Sequence, residues 1–232
     1  MTHRLPILLF ALLAASVSAS AAERSFTVTG FDRIRIDGPY RVRLTTGVAP
    51  FAKASGSPAA LNSVSIEVQG KTLIVRKNPS GWGGYPGESP GPIEVSLGSH
   101  ELTTAWLNGS GSLAIDKAKG QSFDLEIQGA GSIAIGSLTV DRLRAGISGS
   151  GMAVVGGSAA EVKAIVRGTS TFDGSGLTAR NATVGAEGNA VIKLTATDTA
   201  KVDALGIATV ELGGRPACLL RAVGSAVVSG CR

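Results

Sequence analysis

From Ala105 onward the chain alternates apolar and polar side chains, and a recurring glycine indexes the alternation. Asn108-Gly109-Ser110-Gly111-Ser112-Leu113-Ala114-Ile115 returns as Gln128-Gly129-Ala130-Gly131-Ser132-Ile133-Ala134-Ile135, then more loosely from Gly149-Ser150-Gly151. The index glycines are Gly109, Gly129, Gly149, Gly168, Gly188, Gly206 and Gly224, 18 to 20 residues apart. Four residues after each stand Leu113, Ile133, Ala153, Phe172, Ile192, Val210 and Val228; two before stand Leu107, Ile127, Ile147, Val166, Ala186, Ala204 and Ala222. Two after, every residue is small: Gly111, Gly131, Gly151, Ser170, Ala190, Ala208 and Ala226. These offsets are even, and the odd ones are mostly polar. Apolar residues at every second position mark half-buried strands, and helical spacing does not fit.

Twenty residues at about 3.3 Å each trace roughly 65 Å, which suits one coil around a narrow core. A single coil cannot bury its own apolar face, so coils must stack. The spacing predicts an all-β fold, a right-handed single-stranded β-helix (β-solenoid) of about 20 residues per coil, regular over 105–232. A meander of hairpins with glycine-containing turns is the alternative that the pattern leaves open.

The earlier chain is strand-like but lacks the glycine index. Ile34 and Ile36 alternate with Arg33 and Arg35; after the turn signal Asp37-Gly38-Pro39, Val42 and Leu44 alternate with Arg41 and Arg43. Val64, Ile66 and Val68 lead through Gly70-Lys71 into Leu73 and Val75, a hairpin pattern. These are expected to form less regular first coils or a cap, because an uncapped end exposes strand edges. Residues 78–92 are rich in Gly and Pro and read as a loop. At the far end, Leu205, Leu219 and Val223 fall at outward offsets, so a partner chain or the N-terminal segment is expected to cover the last coils.

Residues 1–22 read as a secretory signal peptide: His3 and Arg4, an apolar run from Leu5 to Val17, and Ala19-Ser20-Ala21 for cleavage. That leaves 23–232 as a single β-solenoid domain, exported to the periplasm or the cell surface. No later apolar run approaches the length of a membrane span. The chain has 22 basic and 17 acidic residues; removing Arg4 leaves 21 against 17, an excess of four that does not argue for nucleic acid. Cys218 and Cys231 are the two cysteines, and in an exported protein they are expected to pair and staple the last coil.

Candidate chemistry is sparse. Outside the leader His100 is the one histidine, which leaves little for a metal site or a Ser-His pair. Gly109-Ser110-Gly111 lacks the Lys-Ser/Thr ending of a phosphate loop, and no cofactor is expected. The carboxylates that a polysaccharide lyase or glycosidase would need are Asp116, Asp124, Glu126, Asp141, Glu161, Asp173, Glu187 and Glu211; they read as a solvated face of mixed charge. Calcium-roll and ice-binding patterns do not repeat in register. Two surfaces remain as ligand candidates: Arg33, Arg35, Arg41 and Arg43, if they share one face of neighbouring strands, and Trp82 with Tyr85 in the Gly/Pro loop, which can stack on sugar rings.

Gly30-Phe31-Asp32-Arg33-Ile34-Arg35-Ile36-Asp37-Gly38 with Val42-Arg43-Leu44, the Val64–Val75 strand pair and the Gly-Ser-Gly coils together resemble a bacterial exported family, the putative auto-transporter adhesin, head GIN domain. The resemblance covers nearly all of the chain after the leader. It implies a right-handed β-helix and a periplasmic or surface location, and it brings no catalytic residues. Replacement of Gly-Ser-Gly by Gly-Thr-Ser, Gly-Asn-Ala, Gly-Ile-Ala and Gly-Ser-Ala in later coils favours a packing role for the glycines. The expected function is therefore a non-catalytic adhesin or envelope-binding module for a glycan or protein, with association through the C-terminal coils. A carbohydrate-active enzyme and a periplasmic structural or signalling partner are the alternatives.

Overall fold

The computed structural model describes residues 22–81 and 91–232; the signal-peptide reading of 1–22 falls almost wholly outside them, as does most of the Gly/Pro loop. The chain winds into a β-solenoid of about 6 turns with about 20 residues per coil. Five long strands carry the regular coils: β9 (Ser112–Gly129), β10 (Ser132–Gly149), β11 (Met152–Gly168), β12 (Thr171–Gly188) and β13 (Val191–Gly206). Each pairs in parallel with the next, so the meander alternative does not occur here. Three short strands continue the stack at the C-terminal end: β14 (Thr209–Gly213) and β15 (Ala217–Gly224) both lie on β13, and β16 (Val227–Ser229) lies on β14.

Buried positions divide each coil into three faces. In β9 they are Leu113 and Ile115, then Ala118, then Phe123, Leu125 and Ile127. The two breaks in parity mark the bends, and the index glycine makes the third corner. Register stacks Leu113, Ile133, Ala153, Phe172, Ile192 and Val210 in one column, each 0–1% exposed. Volume is shared along it: Phe172 follows Ala153, and its ring fills space that a Cβ on Gly174 would approach to 2.8 Å.

The corner glycines are required twice over. Gly129 has φ +108°, and a Cβ there would lie 2.8 Å from the Gly109 carbonyl oxygen. Two residues on, a Cβ at Gly131 would lie 2.6 Å from Leu107 Cδ2. In later coils Ala186 and Ala204 replace the larger side chains before the corner, and Ala190 and Ala208 replace the small glycine after it.

The first residues form coils as well. β2 (Arg33–Asp37) and β3 (Arg41–Thr46) make one layer whose corner, Gly38, stacks on Gly109. Gly38 N–H donates to Asn108 O at 2.9 Å, and Ser112 N–H donates to Tyr40 O at 2.8 Å. On its other side this layer pairs with β6 (Thr72–Lys77) and β7 (Glu94–Ser99). β2 and β3 are therefore inserted between layers made later in sequence: β6–β7 on one side, and β8 (Thr104–Gly109) with β9 on the other. The cap is separate. β4 (Phe51–Gly56) lies antiparallel on β7, β1 (Ala22–Phe26) antiparallel on β4, and β5 (Val64–Gln69) antiparallel on β6. Helix α1 (Pro58–Ser63) closes that end with Ala60 and Leu61 buried, and Ser57 caps it by accepting from Ala60 N–H at 3.1 Å.

Cys218 and Cys231 form a disulfide, 13 residues apart, as expected. It ties the end of the last coil back to β15.

Two substitutions test this packing by thermal unfolding. Gly129→Ala is expected to cost more than about 2 kcal/mol, since it adds left-handed strain to a backbone clash. Ser170→Ala is expected to gain about 1 kcal/mol, because the Ser170 hydroxyl is fully buried with no hydrogen-bond partner among the described residues, where later coils carry Ala190 and Ala208.

Candidate functional site

The third face carries the most distinctive outward column. Register places Arg35, Trp106, Glu126, Gly146, Ile165, Gly185 and Asp203 in a line parallel to the solenoid axis. Outward positions of a strand normally bear side chains that cover the backbone, yet two of these are glycines. Neither has positive φ. A Cβ on Gly146 would meet nothing nearer than Glu126 Cγ at 3.9 Å, so the fold does not need glycine there. At Gly185 a Cβ would come within 2.9 Å of Ile165 Cδ1, so that glycine lets Ile165 lie along the sheet.

The result is a trough. A hollow of about 360 Å³ runs from Trp106 over Gly146 to Ile165, and a second of about 320 Å³ continues from Ile165 over Gly185 to Leu205. Trp106 is half-buried and forms one end. With parallel rungs about 4.8 Å apart, the five steps from Trp106 to Asp203 span roughly 24 Å.

The neighbouring column supplies charge. It runs Arg33, Thr104, Asp124, Arg144, Lys163, Thr183 and Lys201. Arg144 pairs with Asp124 at 3.6 Å, whereas Lys163 and Lys201 have no ion-pair partner among the described residues. On the other flank Arg167 pairs with Glu187 at 3.2 Å.

The four arginines expected on one patch are split. Arg33 and Arg35 lie on the third face, and Arg41 and Arg43 lie on the first, because Gly38 is a coil corner and β2 does not pair with β3. Arg35 is held by Asp37 at 2.9 Å and Arg43 by Glu94 at 3.2 Å. Arg41 borders a small hollow of about 170 Å³ floored by Ser112, Ala114, Ser132 and Ala134. Trp82 and Tyr85 lie outside the described residues. Trp106 was missed by reading aromatics only in the loop. Its signal was present: it stands three before Gly109, an odd and hence outward offset, in line with Gly146.

The carboxylates are mostly engaged. Asp116 accepts from the N–H groups of Thr46 (3.0 Å) and Lys117 (2.7 Å), bracing a coil corner. Glu126 accepts from Gln128 Nε2 at 2.7 Å, and Glu211 pairs with Lys193 at 3.1 Å. The Ser175 hydroxyl and then its backbone N–H, with Lys193 adding its charge, hold the Asp173 carboxyl below its ordinary range. Asp141 and Glu161 stand exposed. His100 borders a hollow of about 310 Å³ with Lys117, Lys119 and Ser137, but among the described residues no hydrogen bond joins it to Ser137. Among the described residues no group of three His, Cys, Asp or Glu side chains is placed to hold a metal ion. Nor is any helix among them long and apolar enough to cross a membrane.

The sequence profile of the putative auto-transporter adhesin, head GIN domain family matches residues 30–216. The chain belongs to that family. Solved structures share its fold. A putative adhesin from Bacteroides fragilis NCTC 9343 superposes with TM-score 0.75 at 17% identity, covering 91% of this chain and 96% of that one. A putative lipid binding protein from Parabacteroides distasonis ATCC 8503 gives 0.69 at 19% identity, with 91% and 96% covered. A putative adhesin from Parabacteroides merdae ATCC 43184 gives 0.65 at 16% identity, again with 91% and 96% covered. At these identities the likeness carries the fold alone. Among curated proteins none matches this chain.

Gly146→Ala tests whether the trough is a requirement of the fold. Thermal unfolding is expected to show stability unchanged or raised by about 0.4–1 kcal/mol, through the lower entropy of the unfolded chain. A clear loss would make Gly146 a structural residue.

Proposed function

We propose that this GIN-domain protein is a non-catalytic binding module, exported to the periplasm or cell surface, that holds an envelope glycan along its third face. The column Trp106–Gly146–Ile165–Gly185 carries the reading. An indole offers an apolar face to a sugar ring, and two glycines that the backbone does not demand leave room for a chain to lie lengthwise. Lys163 and Lys201 add unpaired positive charge beside it, which favours glycans bearing carboxylate or sulfate. The rigid stack keeps these groups in place before the ligand arrives, which lowers the entropic cost of binding.

Two further observations support the reading, the first against hydrolysis or elimination and the second for export. Asp124, Glu187 and Glu211 each face a cation from the neighbouring coil, and Asp116 braces a corner, so these carboxylates already have structural partners. The Cys218–Cys231 disulfide suits an oxidising compartment, consistent with a removable leader at 1–22.

A glycan array probed with purified protein, alongside a hydrolase and lyase screen, tests this. Retention of one or a few acidic glycans is expected, without turnover. Trp106→Ala and Gly146→Leu are each expected to weaken retention about tenfold or more while leaving the thermal midpoint within a few degrees. Turnover abolished by changing a single carboxylate would replace the binding reading with an enzymatic one.

A further inference from the structure

The two ends of the solenoid are finished differently. The N-terminal end is closed by α1 and by antiparallel strands; on β1, the outermost of them, Glu23, Arg24 and Ser25 are all exposed, while β4 exposes Phe51 and Lys53. At the C-terminal end, β15 pairs only with β13 and β16 only with β14, so their outer backbone groups have no strand partner among the described residues. The core also runs on into open solvent there. Leu220 continues the inward column of Val202, yet it is 48% exposed where Val202 is 1%. Nine large hydrophobic residues are exposed among the described residues, and five of them, Ile207, Leu219, Leu220, Val223 and Val227, belong to this end.

We infer that this end is a self-association surface, and that two copies join C-terminal end to C-terminal end about a two-fold axis. Three features select a second copy. First, exposed apolar side chains cluster here, with Leu219, Leu220 and Val223 together on β15 and Ile207 and Val227 beside them. Second, a two-fold axis perpendicular to the solenoid sets β15 antiparallel to its own copy, so each edge completes the other's ladder. Third, the capped N-terminal end, with polar β1 outermost, is a poor match for an apolar edge, which disfavours head-to-tail stacking and leaves the closed, isologous arrangement. The single charge in β15 does not oppose this, because Arg221 is already paired with Asp203 at 3.5 Å. The pairing leaves the third-face trough of each copy open, and it stands whether or not that trough binds a glycan.

Sedimentation velocity on the oxidised protein at micromolar concentration is expected to give the mass of two chains. Leu220→Arg and Val223→Arg are each expected to weaken association about tenfold or more, whereas Met152→Arg, on the exposed first face, leaves it unchanged. Hydrogen exchange on the unaltered protein provides a reading that does not depend on any variant folding: the β15 amides are expected to slow as concentration rises. A one-chain mass with concentration-independent exchange overturns the inference. So does a dimer broken by Met152→Arg but not by the β15 variants, or a mass that grows without limit.

Discussion

The close approach of one coil to the next at the glycine corner is the constraint on which the structure depends. Ala130 N–H donates to Gly109 O at 3.0 Å and Ser132 N–H to Gly111 O at 3.0 Å; Ser150 and Met152 repeat the pair on Gly129 and Gly131. These bonds fix the rung spacing at the index-glycine corner of each coil. Everything else inherits that spacing, including the columns of Leu, Ile and Val inside and the lines of charge outside. With so few aromatic residues, the core is filled by many small apolar side chains in register.

The same spacing governs the surface. An outward residue on one coil has as neighbours the outward residues at the same offset on the coils above and below, so chemistry accumulates in lines. Asp124 with Arg144, Arg167 with Glu187 and Lys193 with Glu211 are opposite charges one coil apart, each worth at most about 1 kcal/mol at such exposure. The trough lies where this pattern lapses, at Gly146 and Gly185.

Much of this was legible in the sequence because the signal is local and repeated. The period, the inward columns and the Cys218–Cys231 pairing follow from counting residues. The insertion of β2 and β3 was not legible, since Arg33↔Thr104 and Arg41↔Ser112 join residues some seventy positions apart and no periodic mark precedes them. Asp37-Gly38-Pro39 read as an ordinary turn between two arginine-bearing strands, and that placed all four arginines on one patch. Only the stacking of Gly38 on Gly109 reveals a corner. Trp106 was overlooked for a different reason: its outward offset was countable, but the missing side chains that give it a neighbouring hollow become visible only when rungs are laid side by side.

The interleaved N-terminal layer bears on how the polypeptide acquires its shape. In sequence order β2 and β3 come before all of their partners: β6 and β7 on one side, then β8 and the opening of β9, some seventy residues on, on the other. Until β8 and β9 are in place, those early segments have strand partners on one side only, and Ile34, Ile36, Val42 and Leu44 are only partly covered. The regular coils need no such delay, because each docks on the one just made. Assembly therefore has a slow, long-range step at one extremity and a fast, sequential zipper running from it. A chaperone that shields extended apolar strands would act in the first phase and be dispensable in the second.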